Sequence, residues 1–365
     1  MKKILYSLIS IMFLITSCSN VEDANRWKSG IIIDEFIYSA DDVDFPSCHA
    51  ATIAETPEGM VAAWFGGEYE RHPEVCIYLS HLKNGEWTKP QQVADGIVSD
   101  DERYATWNPV LYQVPNGELQ LYYKVGPNVA GWSGKMKTSN DNGKTWSDEI
   151  DLPKGFIGPV KNKPVLLKDG RLLAPSSTEH NRWRVHFEES SDMGKTWTKS
   201  EAINSGREYR IIQPSILQHN DTTLQILARS RNSVLATSWS YDGGKTWSLV
   251  QASGLPNNNS GTDAITLKDG RHLVVYNHVA TPIGGDKGYR TPLNVAISDD
   301  GKNWKAALIL EDSEISQYSY PSVTQSEDGM VHIVYTWRRE FIKYVKVDCS
   351  KLKLSSIIDE KWPLN

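Results

Sequence analysis

Ser139-Asn-Asp141-Asn-Gly143-Lys-Thr145-Trp146 is one of four copies of a single phrase. The others occupy 190–197 with Asp192, 240–247 with Asp242 and, in a shortened form, Ser298-Asp-Asp300-Gly301-Lys-Asn-Trp304. A degenerate fifth copy occupies 80–87, so Trp87, Trp146, Trp197, Trp247 and Trp304 fall at intervals of 59, 51, 50 and 57 residues. A period of this length with strand-like runs between copies marks a radial all-β array. Fixed offsets of Ser, Asp, Gly and Thr are turn chemistry, in which short polar side chains satisfy local backbone donors. The phrase is therefore expected at the outer hairpin of each blade, away from any site.

Between the phrases lies a second unit, a turn followed by an apolar strand. It reads Pro57-Glu-Gly59-Met, Pro115-Asn-Gly117-Glu-Leu, Lys168-Asp-Gly170-Arg-Leu, Asn220-Asp-Thr222-Thr-Leu, Lys268-Asp-Gly270-Arg-His and Glu327-Asp-Gly329-Met-Val. Asp-Gly and Asn-Gly between apolar runs signal hairpins, because the turn needs positive φ. Six copies predict a six-bladed β-propeller with four-stranded antiparallel blades. Upstream of four turns, a polar residue and proline open another apolar run: Asn108-Pro109, Lys163-Pro164, Gln213-Pro214 and Tyr320-Pro321. Proline is tolerated at a strand's first residue, so these pairs read as starts of innermost strands. The same frame sets His49 and Asp263 in the remaining blades, and the six residues are expected to converge on the axis. Seven residues past the turns, Lys124, Ser177, Arg229, Asn277 and Thr336 form a second, wider ring, which the first blade continues into residues 66–72.

At 365 residues with a net charge of −6, the chain has no basic field for nucleic acid. Thirteen Trp and sixteen Tyr against seven Phe favour rings with a polar handle, suited to sugars and equally to sheet surfaces. The start, Met1-Lys2-Lys3 followed by an apolar run at 5–15, reads as a targeting segment. Ile15-Thr16-Ser17-Cys18 resembles the bacterial lipobox. The resulting division is a signal peptide at 1–17, a tether at 18–30 beginning with acylated Cys18, and one propeller over 31–365. This makes the protein exported and held to a membrane through a lipid anchor only. Cys48, Cys76 and Cys349 remain, an odd number that leaves at least one free thiol or an intermolecular pair; a Cys48–Cys76 bridge stays open. No P-loop, dinucleotide fingerprint, HExxH, EF-hand or nucleophile elbow occurs, and no ligand spacing implies a metal or cofactor. The oligomeric state is not legible.

Arg229 closes a strand at the axial face and Arg290 precedes Pro292-Leu-Asn-Val-Ala-Ile297. Two guanidiniums on one face suit bidentate capture of a carboxylate. With Tyr320 at the head of the sixth inner strand, these residues carry a family resemblance. The tryptophan phrases look like Asp-boxes, or BNR repeats, and residues 45–347 resemble the sialidase superfamily. Segments 49–53, 63–70, 158–177, 213–231 and 318–323 are most similar to its BNR-repeat-like branch. The resemblance implies that Arg229 and Arg290 hold a sugar carboxylate and that Tyr320 is the nucleophile. It also implies an acid on a first-blade loop, for which Glu70, or else Glu68 or Glu74, is placed. Two positions depart from the pattern: His49 stands where the family's first arginine falls, and Gln213 where the tyrosine's partner glutamate falls. Glutamine cannot accept a proton.

Three readings follow. The first is an exo-acting glycosidase removing a terminal acidic sugar, with Arg229, Arg290, Tyr320 and Glu70 as above, Asp263 in reserve as acid/base, and Lys124, Asn108, Lys163 and Asn277 lining the substrate's surroundings. The second is a uronate-directed lyase or hydrolase using His49 with Tyr320. The third is a glycan-binding lipoprotein without catalysis.

Overall fold

The computed structural model describes residues 26–285 and 287–363. Six antiparallel sheets stand in a ring, and five of them follow the chain from the axis outward. Their innermost strands are Ser47–Thr56, Thr106–Gln113, Val165–Leu166, Ile211–Gln218 and Asp263–Thr266. The sixth blade takes Tyr318–Gln325, Val331–Trp337 and Phe341–Val347 from the C-terminal part and its outermost strand, Ile31–Phe36, from the N-terminal part. The chain thus closes the ring with its own first strand. The fold is the six-bladed β-propeller the repeat predicts.

Apolar packing lies between blades, because each blade buries both faces against its neighbours. Six clusters fill the six interfaces, for example Leu172, Ala174 and Trp197 against Val110, Tyr122 and Met136. The phrase tryptophans are wedges in this packing. Trp87, Trp146, Trp197, Trp247 and Trp304 each join the cluster between their own blade and the preceding one, and Trp247 stacks on Phe187 at 4.5 Å.

The rest of each phrase is a closed turn. Ser240 Oγ donates to Asp242 Oδ1 (2.8 Å) and accepts from Gly244 N (2.8 Å), while Asp242 accepts from Thr246 N (2.9 Å) and Oγ1 (2.6 Å). The copies at Ser139, Ser190 and Ser298 repeat this wiring. The fifth copy differs: without the aspartate, Leu82 and Lys83 pair with Trp87 and Glu86 across an Asn84-Gly85 turn with φ of 53° and 86°.

Register corrects the inner-strand frame. Glu55, Gln113, Leu166, Gln218, Thr266 and Gln325 are opposite Met60, Leu119, Leu172, Leu224, His272 and Val331. Five residues before each stand Ala50, Asn108, Lys161, Gln213, Gly261 and Tyr320. Four of these, Ala50, Asn108, Gln213 and Tyr320, have φ of 56°, 33°, 54° and 53°, and the ladder slips beside each one. Each is a β-bulge, which re-aims a side chain at the strand's head. His49 therefore precedes the bulge by one residue, and Lys163 and Asp263 lie two residues beyond it. The proline of Lys163-Pro164 immediately precedes the strand Val165–Leu166 rather than following the bulge-frame residue.

Cys48, Cys76 and Cys349 are free and buried. Cys48 and Cys76 lie on either side of Gly66, two strand spacings or about 9–10 Å apart, beyond disulfide reach. Of the expected tether, residues 26–30 pack on the fifth blade: Trp27 is buried, and its carbonyl accepts from Ile309 N (3.0 Å). Cys18 and the targeting segment lie outside the described residues.

Candidate active site

The bulges turn Gln213 and Tyr320 into the axial mouth, where the loops joining second to third strands add charge. Those loops carry Glu70 (after Gly59–Gly67), Glu179 (after Leu172–Thr178), Arg290 (before Leu293–Ser298) and Arg339 (after Val331–Trp337). Sequence reasoning reached Glu70 and Arg290. It missed Glu179 and Arg339, which lie two and three residues past Ser177 and Thr336, so following the wider ring beyond its strand ends would have found both.

Tyr320 is the centre. Its Oη accepts from Arg229 Nη1 (2.8 Å) and from Gln213 Nε2 (3.4 Å). Arg290, Arg229 and Lys161 lie 5.5, 5.7 and 5.7 Å from its ring centre, close enough for cation–π attraction. Gly261, the bulge-frame residue of the fifth blade, gives the ring its room: a Cβ there would meet Tyr320 Cδ2 and Cε2 at 3.0 Å and Lys161 Cε at 3.2 Å. Lys161 closes the floor, donating to Asn162 Oδ1 (2.7 Å), Thr262 O (2.9 Å) and Pro321 O (2.7 Å). Burial pushes its ammonium down to about 7, yet three acceptors match the full complement of a charged ammonium.

Arg229 is fully committed. Its Nε meets Asn259 Oδ1, Nη1 meets Gln213 Oε1 and Tyr320 Oη, and Nη2 meets Asn259 O and Oδ1. These contacts use all five guanidinium donors. Arg290 is different: among the described residues only Nη1 is engaged, with Gln317 Oε1 (3.3 Å) and Ser319 Oγ (3.0 Å). Burial pushes it down to about 10, still charged at neutral pH. Arg339 joins Glu70 through Nη1 (2.7 Å). Arg290 and Arg339 share a pocket of about 460 Å³ with Lys287, Tyr289, Asn258 and Gln317.

His49 lies against the tyrosine, with ring centres 4.2 Å apart. Its Nδ1 shares a hydrogen with Thr336 Oγ1 (2.8 Å), and its buried Nε2 has no partner among the described residues. Burial, reinforced by Arg339, Arg290, Lys161 and Arg229, holds it well below the usual imidazole range, so it is neutral. Glu179 accepts from Gln213 Nε2 (2.8 Å). Burial pushes its carboxyl up, against the pull of Arg229 and Gln213.

The remaining expected residues do not join the mouth. Lys163 and Asp263 pair at 3.2 Å and line a cavity of about 320 Å³ at the opposite end of the channel. Asp263 also accepts from Ser215 Oγ, Ala264 N and Val323 N, so it ties inner strands together. Lys124, fully buried, donates to the carbonyls of Asn108 and Pro159. Asn108 and Asn277 are also buried and bond backbone carbonyls, Asn108 that of Val160, Asn277 those of Pro292 and Tyr318.

A six-bladed ring with turn phrases on its rim and a tyrosine among arginines at its mouth is a sialidase-like propeller. The sequence profile of the BNR repeat-like domain matches residues 58–333. The chain belongs to the BNR repeat-like family. It is 26% identical over 251 residues to an anhydrosialidase of Macrobdella decora, covering 60% of this chain and 32% of that protein. It is also 26% identical over 237 residues to a sialidase of Paraclostridium sordellii, covering 56% of each. The chain thus spans about a third of the first relative and somewhat over half of the second. Among solved structures, a Hadza microbial sialidase superposes with a TM-score of 0.73 at 14% identity, over 88% of this chain and 69% of that one, a likeness of fold.

Proposed function

We propose that the protein is an exported, lipid-anchored exo-glycosidase that removes a terminal carboxylated sugar, sialic acid or a related acid, from glycans. The observation that carries this reading is Tyr320 Oη, held by Arg229 at 2.8 Å beside a cationic pocket. An anionic sugar would repel a carboxylate nucleophile, which is why tyrosine is sensible in this role. Because Arg229 has no donor left for substrate, Arg290 and Arg339 take the sugar carboxylate. Tyr320 Oη then bonds the anomeric carbon as the bond to the leaving oxygen breaks. As Arg339 turns from Glu70 to the sugar carboxylate, Glu70 is released to carry a proton; the phenol proton passes to water at the open mouth, and Glu70 protonates the leaving oxygen. In the second half, water attacks that carbon and gives a proton to Glu70, while Tyr320 departs as phenolate and regains its proton from water at the mouth.

The test is a panel of oligosaccharides capped with sialic, ketodeoxy and uronic acids, with products weighed by mass spectrometry. Wild type is expected to release the capping sugar, and Tyr320→Phe to lose at least about 100-fold in kcat. No release from any cap sinks the reading. A second reading, uronate elimination, is favoured by neutral His49 with its open Nε2 beside Tyr320; an unsaturated product would select it. Acylation of Cys18 predicts that labelled fatty acid enters wild type and not Cys18→Ser.

A further inference from the structure

The glutamine that replaces the expected base is tied at both ends. Its Nε2 faces Glu179 Oε1 (2.8 Å) and Tyr320 Oη (3.4 Å), while its Oε1 faces Arg229 Nη1 (3.2 Å). Turning the amide over would set its oxygen against the Glu179 oxygen and its N–H bonds against Arg229, which is donor only. Arg229 is itself pinned by Asn259 through Nε and Nη2, so neither side can follow such a flip. Gln213 is buried, and an unmet donor or acceptor there costs about 1–3 kcal/mol.

Resting on the glycosidase reading, we propose that Glu179 is a positioning residue for the nucleophile: by accepting from Gln213, it keeps that amide's nitrogen on Tyr320 Oη. The tyrosine oxygen is then served by two N–H donors, from Gln213 and Arg229, rather than by a base. Both donors stabilise the negative charge the oxygen carries as it attacks and again as it leaves, a preorganised electrostatic role. The proton inventory is that of the two half-reactions above, with water taking the phenol proton and Glu70 alone serving the leaving oxygen. Glu179 exchanges no proton. The absence of glutamate at 213 is thus a different solution for the same oxygen.

An acceptor and a proton carrier respond differently to substitution. On the substrate that wild type cleaves, Glu179→Gln keeps an acceptor oxygen and is expected to stay within about threefold of wild-type kcat. Glu179→Ala is expected to lose about 10–100-fold in kcat with KM within about twofold, the size of a lost transition-state donor. Added to Gln213→Ala, it is expected to change nothing further, since it acts through that amide. Gln213→Glu sets two carboxylates together and is expected to lose at least about tenfold. If Glu179→Gln is as damaging as Glu179→Ala, or Gln213→Glu is faster than wild type, the proposal is overturned. A rise in KM alone makes Glu179 a substrate contact and overturns it too.

A second measurement needs no substrate and separates this failure from that of the glycosidase reading. In protein labelled with nitrogen-15 glutamine, the Gln213 side-chain amide is assigned by its loss in Gln213→Ala. Its two protons are expected as distinct, slowly exchanging signals in wild type and Glu179→Gln, and as one exchange-broadened pair in Glu179→Ala. Unchanged signals in Glu179→Ala refute the lock.

Discussion

Gly261 shows how one missing methyl shapes the mouth. Its backbone is not in the left-handed region, so alanine is conformationally acceptable there, and the conflict is with the Tyr320 ring first and with the end of the Lys161 side chain second. Gly261→Ala should fold with a melting temperature close to wild type and lose about 10–100-fold in kcat, because small misplacements of a reacting group carry penalties of that order. Wild-type kcat in a folded Gly261→Ala would show that the ring's place is not set here. Of the mouth residues, Tyr320, Gln213, Arg229, Arg290, His49 and Glu70 were legible in the sequence. Lys161 was hidden because Pro164 follows the bulge-frame position by three residues where Pro109, Pro214 and Pro321 follow it by one, and Gly261 because its blade has no proline there. Counting back from the turns instead of from the prolines gives all six bulge-frame positions.

The blade is the unit in which the repeat earns its regularity. Its serine closes the buried side of the turn, where Ser240 Oγ meets both Gly244 N and Asp242. Ser240 is buried, so Ser240→Ala strands the Gly244 N–H and should cost about 1–3 kcal/mol, read as a lower urea midpoint at constant m. Activity per folded molecule should not change, because the turn lies on the rim. A parallel fall in kcat would couple rim to mouth and contradict that. The hairpins and their order were readable because local turn chemistry is written in contiguous residues. The loops that bring Glu179 and Arg339 to the mouth have no such local signature; their places follow from where whole strands end.

At the scale of the molecule, the buried histidines set acid stability. His272, His278 and His332 are pushed down to about 4, each chiefly by burial, and His49 is also lowered by burial and its neighbouring cations. Unfolding returns them to an ordinary value near 6.5. Above that pH both states leave the rings neutral and they contribute no pH dependence. Between about 6.5 and 4 the unfolded chain binds protons that the folded chain refuses, so stability falls as pH falls. Melting temperature should decline over this window, and His332→Gln should flatten the decline; a melting temperature constant from pH 7 to 4.5 would contradict the neutral assignment.

Closure is the other property of the whole ring, and the sequence left it unseen because the sixth blade's turn and strands looked complete without Ile31–Phe36. That strand pairs Asp34 with Val345 and Glu35 with Tyr344. Lys343 ties it to the fifth blade, reaching Asp34 (2.8 Å) and Glu311 (2.9 Å) together. Removing residues through 36 would expose Phe341–Val347 as an unpaired edge, a template for association. Each lost ladder bond removes about 1 kcal/mol, so the truncated chain should melt at a lower temperature and aggregate while the full chain remains dispersed. Replacing Lys343 by Met, which keeps the ladder and removes the ion-pair link, should lower the melting temperature without aggregation. If the truncated chain stays dispersed with an unchanged melting temperature, the ring is held by its inter-blade clusters alone, and the first strand is not its closure.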